Sequence, residues 1–119
     1  MIFIKGSVPS SKNSKIWTGK FFVWSKTAQK YVKQTEYFWI NKKEEWDRMV
    51  QDKPYPLVVS FKFIRGTKHK FDYVNPLQTV LDLMVKYNWI TDDNADIIKP
   101  VFDTYEYNKE NPGVFFNVN

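Results

Sequence analysis

Pro54 and Pro56 separate two incompatible periodicities, and that division constrains the fold of this chain more than any other feature. Upstream, Ala28, Tyr31, Val32, Thr35, Phe38 and Trp39, then Trp46, Met49 and Val50, recur every three to four residues. This is the apolar stripe of an α-helix. Ser25 carries a hydroxyl suited to capping its first turn, so the spacing predicts a helix over 26–50, with a break near Asn41 where the stripe lapses. Downstream, Leu57, Val59, Phe61 and Phe63 alternate through Ile64, as one face of a half-buried strand does. Helix period and strand period in one short chain point to an α+β fold.

The flanking segments fill in that expectation. Residues 2 to 8 alternate weakly and suit a first strand. Pro9-Ser10-Ser11-Lys12-Asn13-Ser14 is a polar loop. Ile16-Trp17 and Phe21-Phe22-Val23-Trp24 flank Thr18-Gly19 as the arms of a hairpin. After a basic turn over 65–70, Asn75-Pro76-Leu77-Gln78 reads as a helix start, with Asn75 as N-cap, Pro76 at the first helical position and Gln78 closing a capping box. Leu77, Val80, Leu81, Met84 and Val85 form its stripe, while Gln78, Asp82 and Lys86 fall four apart on another face. Asn88 sits where a left-handed cap is expected. Ile97-Ile98, Tyr105, Tyr107, Val114, Phe116 and Val118 suit two or three closing strands. The expected architecture is a single domain over 1–119, a small antiparallel or mixed sheet with two main helices.

At 119 residues the chain is long enough to bury a core without staples. It has no cysteine, which excludes disulfides, zinc–thiolate sites and thiol nucleophiles. No apolar run approaches the roughly 18 residues of a membrane span, so a soluble, cytoplasmic protein is expected.

The net charge of +5 is unevenly spread. Seven lysines fall within residues 1–35, and the first acid is Glu36. From residue 54 onward seven basic and eight acidic side chains nearly cancel, and the aspartates gather between 72 and 103. A basic front with an acidic cluster behind it suits a protein that holds polyanions against a cation site. Lys12, Asn13, Lys15, Lys20, Lys68 and Lys70 are the candidate nucleic-acid contacts. The plainer reading is a solvated basic face.

Asp72, Asp82, Asp92, Asp93 and Asp96 are the candidate chemistry. Mg²⁺ takes oxygen ligands, usually one or two protein carboxylates with water and phosphate oxygens completing its octahedron. Such an ion polarises a phosphodiester and supplies hydroxide near neutral pH. Against this, a Thr91-Asp92-Asp93-Asn94 run is ordinary turn chemistry, and Asp82 has Lys86 as a helical ion-pair partner. A helix of about twelve residues is about 18 Å long, so Asp72 and the Asp92–Asp93 pair share an ion only if the following segment folds back, the helix is short or a second subunit helps, and the sequence does not choose among these. His69, between Lys68 and Lys70, reads as an exposed loop residue.

The order of these motifs resembles the RusA family of Holliday junction resolvases. Asp72-Tyr73-Val74-Asn75, then Gln78, Asp82 and Asp92-Asp93, stand at the spacings of the family's Asp-Leu-Asp-Asn segment, its lysine, its helical aspartate and its Asp-Asp pair. Val8-Pro9-Ser10-Ser11-Lys12-Asn13 is similar to the family's Pro-Pro-Ser-Asn-Asn loop, and the likeness covers nearly the whole chain. It implies a Mg²⁺-dependent endonuclease (Mn²⁺ serving in its place) that cuts four-way DNA junctions as a homodimer in phage or prophage recombination and repair. Under it Asp72 and Asp93 are catalytic metal ligands with Asp92 beside them, Asp96 is a further candidate ligand, and Asn75, Gln78 and Asp82 are secondary. Two positions depart from the family: Val74 stands for its second aspartate and Gln78 for its lysine. In an extended segment Val74 and Asp72 would face the same way. A non-cleaving DNA-binding protein on the same fold is the alternative reading, and a protein-interaction domain using the aromatic residues is a third.

Overall fold

The computed structural model of the chain describes residues 1–10, 15–20 and 22–119. Strand β1 (Ile2–Lys5) is followed by a hairpin, β2 (Lys15–Trp17) and β3 (Phe22–Trp24), and by the long helix α1 (Lys26–Val50). Strand β4 (Leu57–Arg65), helix α2 (Val74–Lys86), and strands β5 (Ile98–Phe102), β6 (Glu106–Tyr107) and β7 (Gly113–Val118) complete it. The main sheet runs β1-β7-β4-β5, with β6 also paired to β4. It is mixed: β7 is antiparallel to β1 and β4, whereas β5 and β6 are parallel to β4. The fold is therefore α+β, as expected. Among the described residues no helix is long and apolar enough to cross a membrane.

The parallel pairing explains the position of α2. Two parallel neighbours need a crossover, and α2 is the crossover between β4 and β5. Alternation assigns the two faces of the sheet. Ile2, Ile4, Leu57, Val59, Phe61, Phe63, Val114 and Phe116 are buried with the α2 stripe of Leu77, Val80, Leu81 and Met84.

Helix α1 is unbroken at Asn41, contrary to the expected interruption. The lapse falls at Lys42 and Lys43, which are half-buried, and Lys43 pairs with Asp47 one turn on at 2.8 Å. The Ser25 hydroxyl accepts from the Ala28 amide at 3.2 Å, as an N-cap should. Trp39 and Trp46, seven residues apart on one face, clasp Trp89. The Trp89 indole donates to the Trp39 carbonyl at 3.0 Å, and the Trp46 indole donates to the Trp89 carbonyl at 2.8 Å.

Helix α2 ends as anticipated and begins otherwise. Asn88 is left-handed at φ 62°. Its amide donates to Val85 O at 3.1 Å and the Trp89 amide to Met84 O at 2.8 Å, the two bonds of a Schellman cap. At the other end the helix starts at Val74, and Tyr73, already helical, is the cap residue with no side-chain cap bond. Asn75 is thus inside the first turn, its amide donating to Asp72 O at 3.1 Å, and Gln78 closes no capping box. Pro76 still lies in the first turn, where a missing N–H costs least. Because residues 72–74 turn into the helix, Val74 does not follow Asp72 along an extended segment.

Tyr31 is buried against Gly6 and Thr35, and its hydroxyl has no hydrogen-bond partner among the described residues. Burial pushes its pKa well above the ordinary tyrosine range. In the unfolded chain it ionises near pH ~10, so above that pH the unfolded state holds fewer protons than the native state. The stability from keeping this phenol protonated is intact below about pH 10 and falls by about 1.4 kcal/mol per unit above it. Tyr31→Phe is expected to flatten this part of the profile, and to cost nothing at pH 7 because no unpaired hydroxyl remains buried. Urea unfolding of both proteins at pH 9 and 11 checks this; parallel losses would contradict it.

Candidate functional site

The segment joining β4 to α2 carries three of the candidate residues, Lys68, Lys70 and Asp72. It leaves the sheet at Arg65, bends through Gly66, Thr67, Lys68, His69 and Lys70, and passes Phe71 and Asp72 to the cap residue Tyr73 and the helix from Val74. Lys68, His69, Lys70 and Asp72 are all exposed. Two depressions flank it. One, about 640 Å³, lies between this segment, residues 7–10 and Thr27 in the first turn of α1, and is lined by Arg65, His69, Lys70, Asp72 and Asn75. The other, about 420 Å³, is lined by Lys68, His69, Lys70, Phe71, Asp72 and Tyr105. Asp72 lines both, together with His69 and Lys70.

Aromatic packing holds the segment. Phe71 packs on Tyr73 and Tyr105 at centroid distances of 5.4 and 4.9 Å, and Tyr73 packs on Phe102 at 4.9 Å. The Tyr105 amide donates to the Tyr73 hydroxyl at 3.2 Å. The Arg65 guanidinium lies 4.5 Å from the Phe71 ring centre and its Nη1 donates to Val8 O at 3.3 Å. The ring and the carbonyl fix the fork, and partial burial lowers its pKa. Arg65 was not among the sequence candidates; it reads there only as the first residue of the basic turn over 65–70.

The acidic residues divide into two groups. Asn75 Nδ2 donates to Asp72 Oδ2 at 3.4 Å. One turn on, Gln78 Nε2 donates to Asp82 Oδ1 at 2.9 Å and to Asp93 Oδ2 at 3.1 Å. The segment after α2 therefore folds back, bringing Asp93 to the middle of the helix instead of leaving it beyond the far end. Asn75 and Gln78 are three residues apart on one helical face, a rise of about 4.5 Å, so Asp72 and Asp93 are tied to adjacent points of the same face.

Asp92 and Asp96 belong to the turn itself. Asp92 accepts from the Asp93 amide at 2.7 Å and from Asn94 Nδ2 at 3.1 Å, and these donors hold its carboxyl below the usual carboxylate range. Asn94 Oδ1 accepts from the Asp96 amide at 2.9 Å. Both aspartates are exposed, and their contacts are the turn chemistry that the Thr91–Asn94 run suggested. Among the described residues no three His, Asp or Glu side chains are grouped to hold a metal ion between them. Asp82 faces Gln78, the residue four before it, and its expected pairing with Lys86 is replaced by that bond.

Of the candidate phosphate contacts, Lys20, Lys68 and Lys70 are exposed, and Lys68 also lies 5.0 Å from the Tyr107 ring centre. Lys12 and Asn13 lie outside the described residues, and of Lys15 only the backbone, in β2, is described. No protein-family model matches the chain, and no curated protein matches it in sequence.

Proposed function

We propose that the protein is a RusA-like endonuclease that binds branched DNA, four-way junctions in particular, and cuts it with Mg²⁺ or Mn²⁺ as a homodimer. The observation that carries this reading is the return of Asp93 to the helix face of Asn75 and Asp72 through Gln78. Two carboxylates so disposed are oxygen donors of the kind Mg²⁺ prefers, and they leave most of its shell to water and phosphate. Asp72 and Asp93 would hold the ion, which when bound polarises a phosphodiester and lowers the pKa of a water ligand. Lys68, His69 and Lys70 border Asp72 and would draw the backbone into the grooves.

A second reading, a DNA-binding protein on the same fold that does not cut, is favoured by two residues. Val74 is exposed and apolar where the family has an aspartate, and Gln78 spends its amide on two carboxylates where the family has a cation. A lysine at 78 would neutralise that carboxylate pair and supply charge to the phosphate.

Three proteins separate the readings: the parent, Asp72→Asn, and Val74→Asp combined with Gln78→Lys. Asp72→Asn is expected to lower Mg²⁺-dependent nicking of a four-way junction by at least about a hundredfold. It should keep or tighten binding in EDTA, because a negative charge beside the phosphate is gone. The double variant is expected to nick faster than the parent. A silent parent with an active double variant establishes the non-cleaving reading, and Asp72→Asn cutting at the parental rate removes the assignment of this site.

A further inference from the structure

The larger groove contains a guanidinium that is held in place but makes no ion pair among the described residues. It belongs to Arg65, whose Nε, buried, has no hydrogen-bond partner among them. Its fork is nonetheless fixed, by the Phe71 ring on one side and the Val8 carbonyl on another. A partly desolvated guanidinium without a counter-ion is costly, and a bidentate oxyanion offsets that cost best, because its two oxygens match the planar fork. The wall around it is polar and partly basic: His69, Lys70, Asn75 and Asp72 line the same groove. A carboxylate ligand would lack the further charge that Lys70 answers, whereas a phosphate oxygen set engages Arg65 and Lys70 together.

We infer that Arg65 is a phosphate-binding residue, seating the DNA phosphodiester that lies next to Asp72. This deepens the nuclease reading and rests on it for the identity of the ligand. It differs from that reading in requiring no metal and no cleavage. The position of Arg65 matters: as the last residue of β4 it is set by the central strand of the sheet, whereas Lys68 and Lys70 ride on the loop. A phosphate gripped there is placed with the precision of the sheet, and the lysines then add charge with little positioning.

The chain has only two arginines, Arg48 and Arg65, and Arg48 is paired with Glu44 on the outside of α1 at 3.1 Å. Their Nε–H signals in a ¹⁵N spectrum therefore provide a probe and an internal control. Titration in EDTA with thymidylyl-thymidine, which has a single phosphodiester, is expected to move the Arg65 signal and leave that of Arg48 in place. Inorganic phosphate should move it only at much higher concentration; equal or tighter binding of inorganic phosphate would overturn the DNA assignment in favour of a free-phosphate site. On a four-way junction in EDTA, Arg65→Gln is expected to bind about tenfold more weakly and to flatten the slope of log K against log salt by about 0.9. Arg65→Lys should keep the slope and lose affinity, because the charge remains and the fork does not. An unmoved Arg65 signal, or a parental salt slope in Arg65→Gln, overturns the inference. Neither result depends on whether the parent nicks, so failure of the cleavage reading is seen separately. The spectrum of the unaltered protein decides the matter even if Arg65→Gln folds poorly.

Discussion

Replacing Trp39 by alanine is expected to remove about 3–5 kcal/mol of stability, enough to unfold a large share of the molecules of a marginal domain. The indole is fully buried, with Trp89 edge-on at a centroid distance of 5.0 Å and Phe116 edge-on at 5.7 Å. It therefore touches the sheet through Phe116 and the segment after α2 through Trp89. Its Nε1 donates to Thr35 Oγ1 at 3.0 Å, and that hydroxyl in turn donates to Tyr31 O at 2.8 Å. Truncation leaves a cavity between three elements that cannot all close on it, because α1 is held at its far end by Trp46 and Trp89. Urea unfolding followed by far-UV circular dichroism reads the effect without depending on the lost indole; a midpoint shift of roughly 2 M is expected for a loss of this size. A loss under about 1 kcal/mol would mean that neighbouring side chains fill the space and that the tryptophan cluster does not set the spacing of helix and sheet.

Gly113→Ala is the other substitution expected to be severe, on the order of 3 kcal/mol, although it adds a single methyl group. Gly113 lies between two strands, opposite Lys5 in β1 and Ile64 in β4. A Cβ there would stand 2.6 Å from the Ile4 carbonyl oxygen and would run into the Phe3 ring, which packs on Phe115 at 4.5 Å. The ring can swing away only by giving up that packing, and the carbonyl belongs to paired backbone and can move only if β1 shifts. Thermal unfolding of Gly113→Ala beside Gly66→Ala makes the comparison sharp. At Gly66 a Cβ meets only Pro112 side-chain atoms at 3.4 Å, so that change should be mild. Equal melting points for the two variants would show that β1 is free to slide on β7.

The regular elements were legible because their signals are local. The stripe of α1, the Ser25 cap, the alternation of β4, the hairpin and the left-handed Asn88 each depend on residues a few positions apart, and each is found where its period or side chain requires. The helix start was misplaced for a reason that is not local. The Asn-Pro pair offers a cap, but the backbone of Asp72 and Tyr73 had already turned, and packing of Tyr73 on Phe102 holds it there. Periodicity says nothing of such a contact, which joins residues far apart in the chain.

The candidate site divides along the same line. Sequence determined which acids and bases were available, and that Asp72 precedes α2 while Asp92 and Asp93 follow it. It posed the distance between them as an obstacle and had no means to remove it. Tertiary structure decided the rest: Gln78 receives Asp93 across the fold-back, Asp92 and Asp96 spend their bonds on their own turn, and Phe71 with Val8 O fixes Arg65. Composition and spacing fix what chemistry a chain carries, because they are properties of neighbours along the backbone. Which of those groups meet is set by how the helices close over the sheet, and that depends on every contact in the core at once.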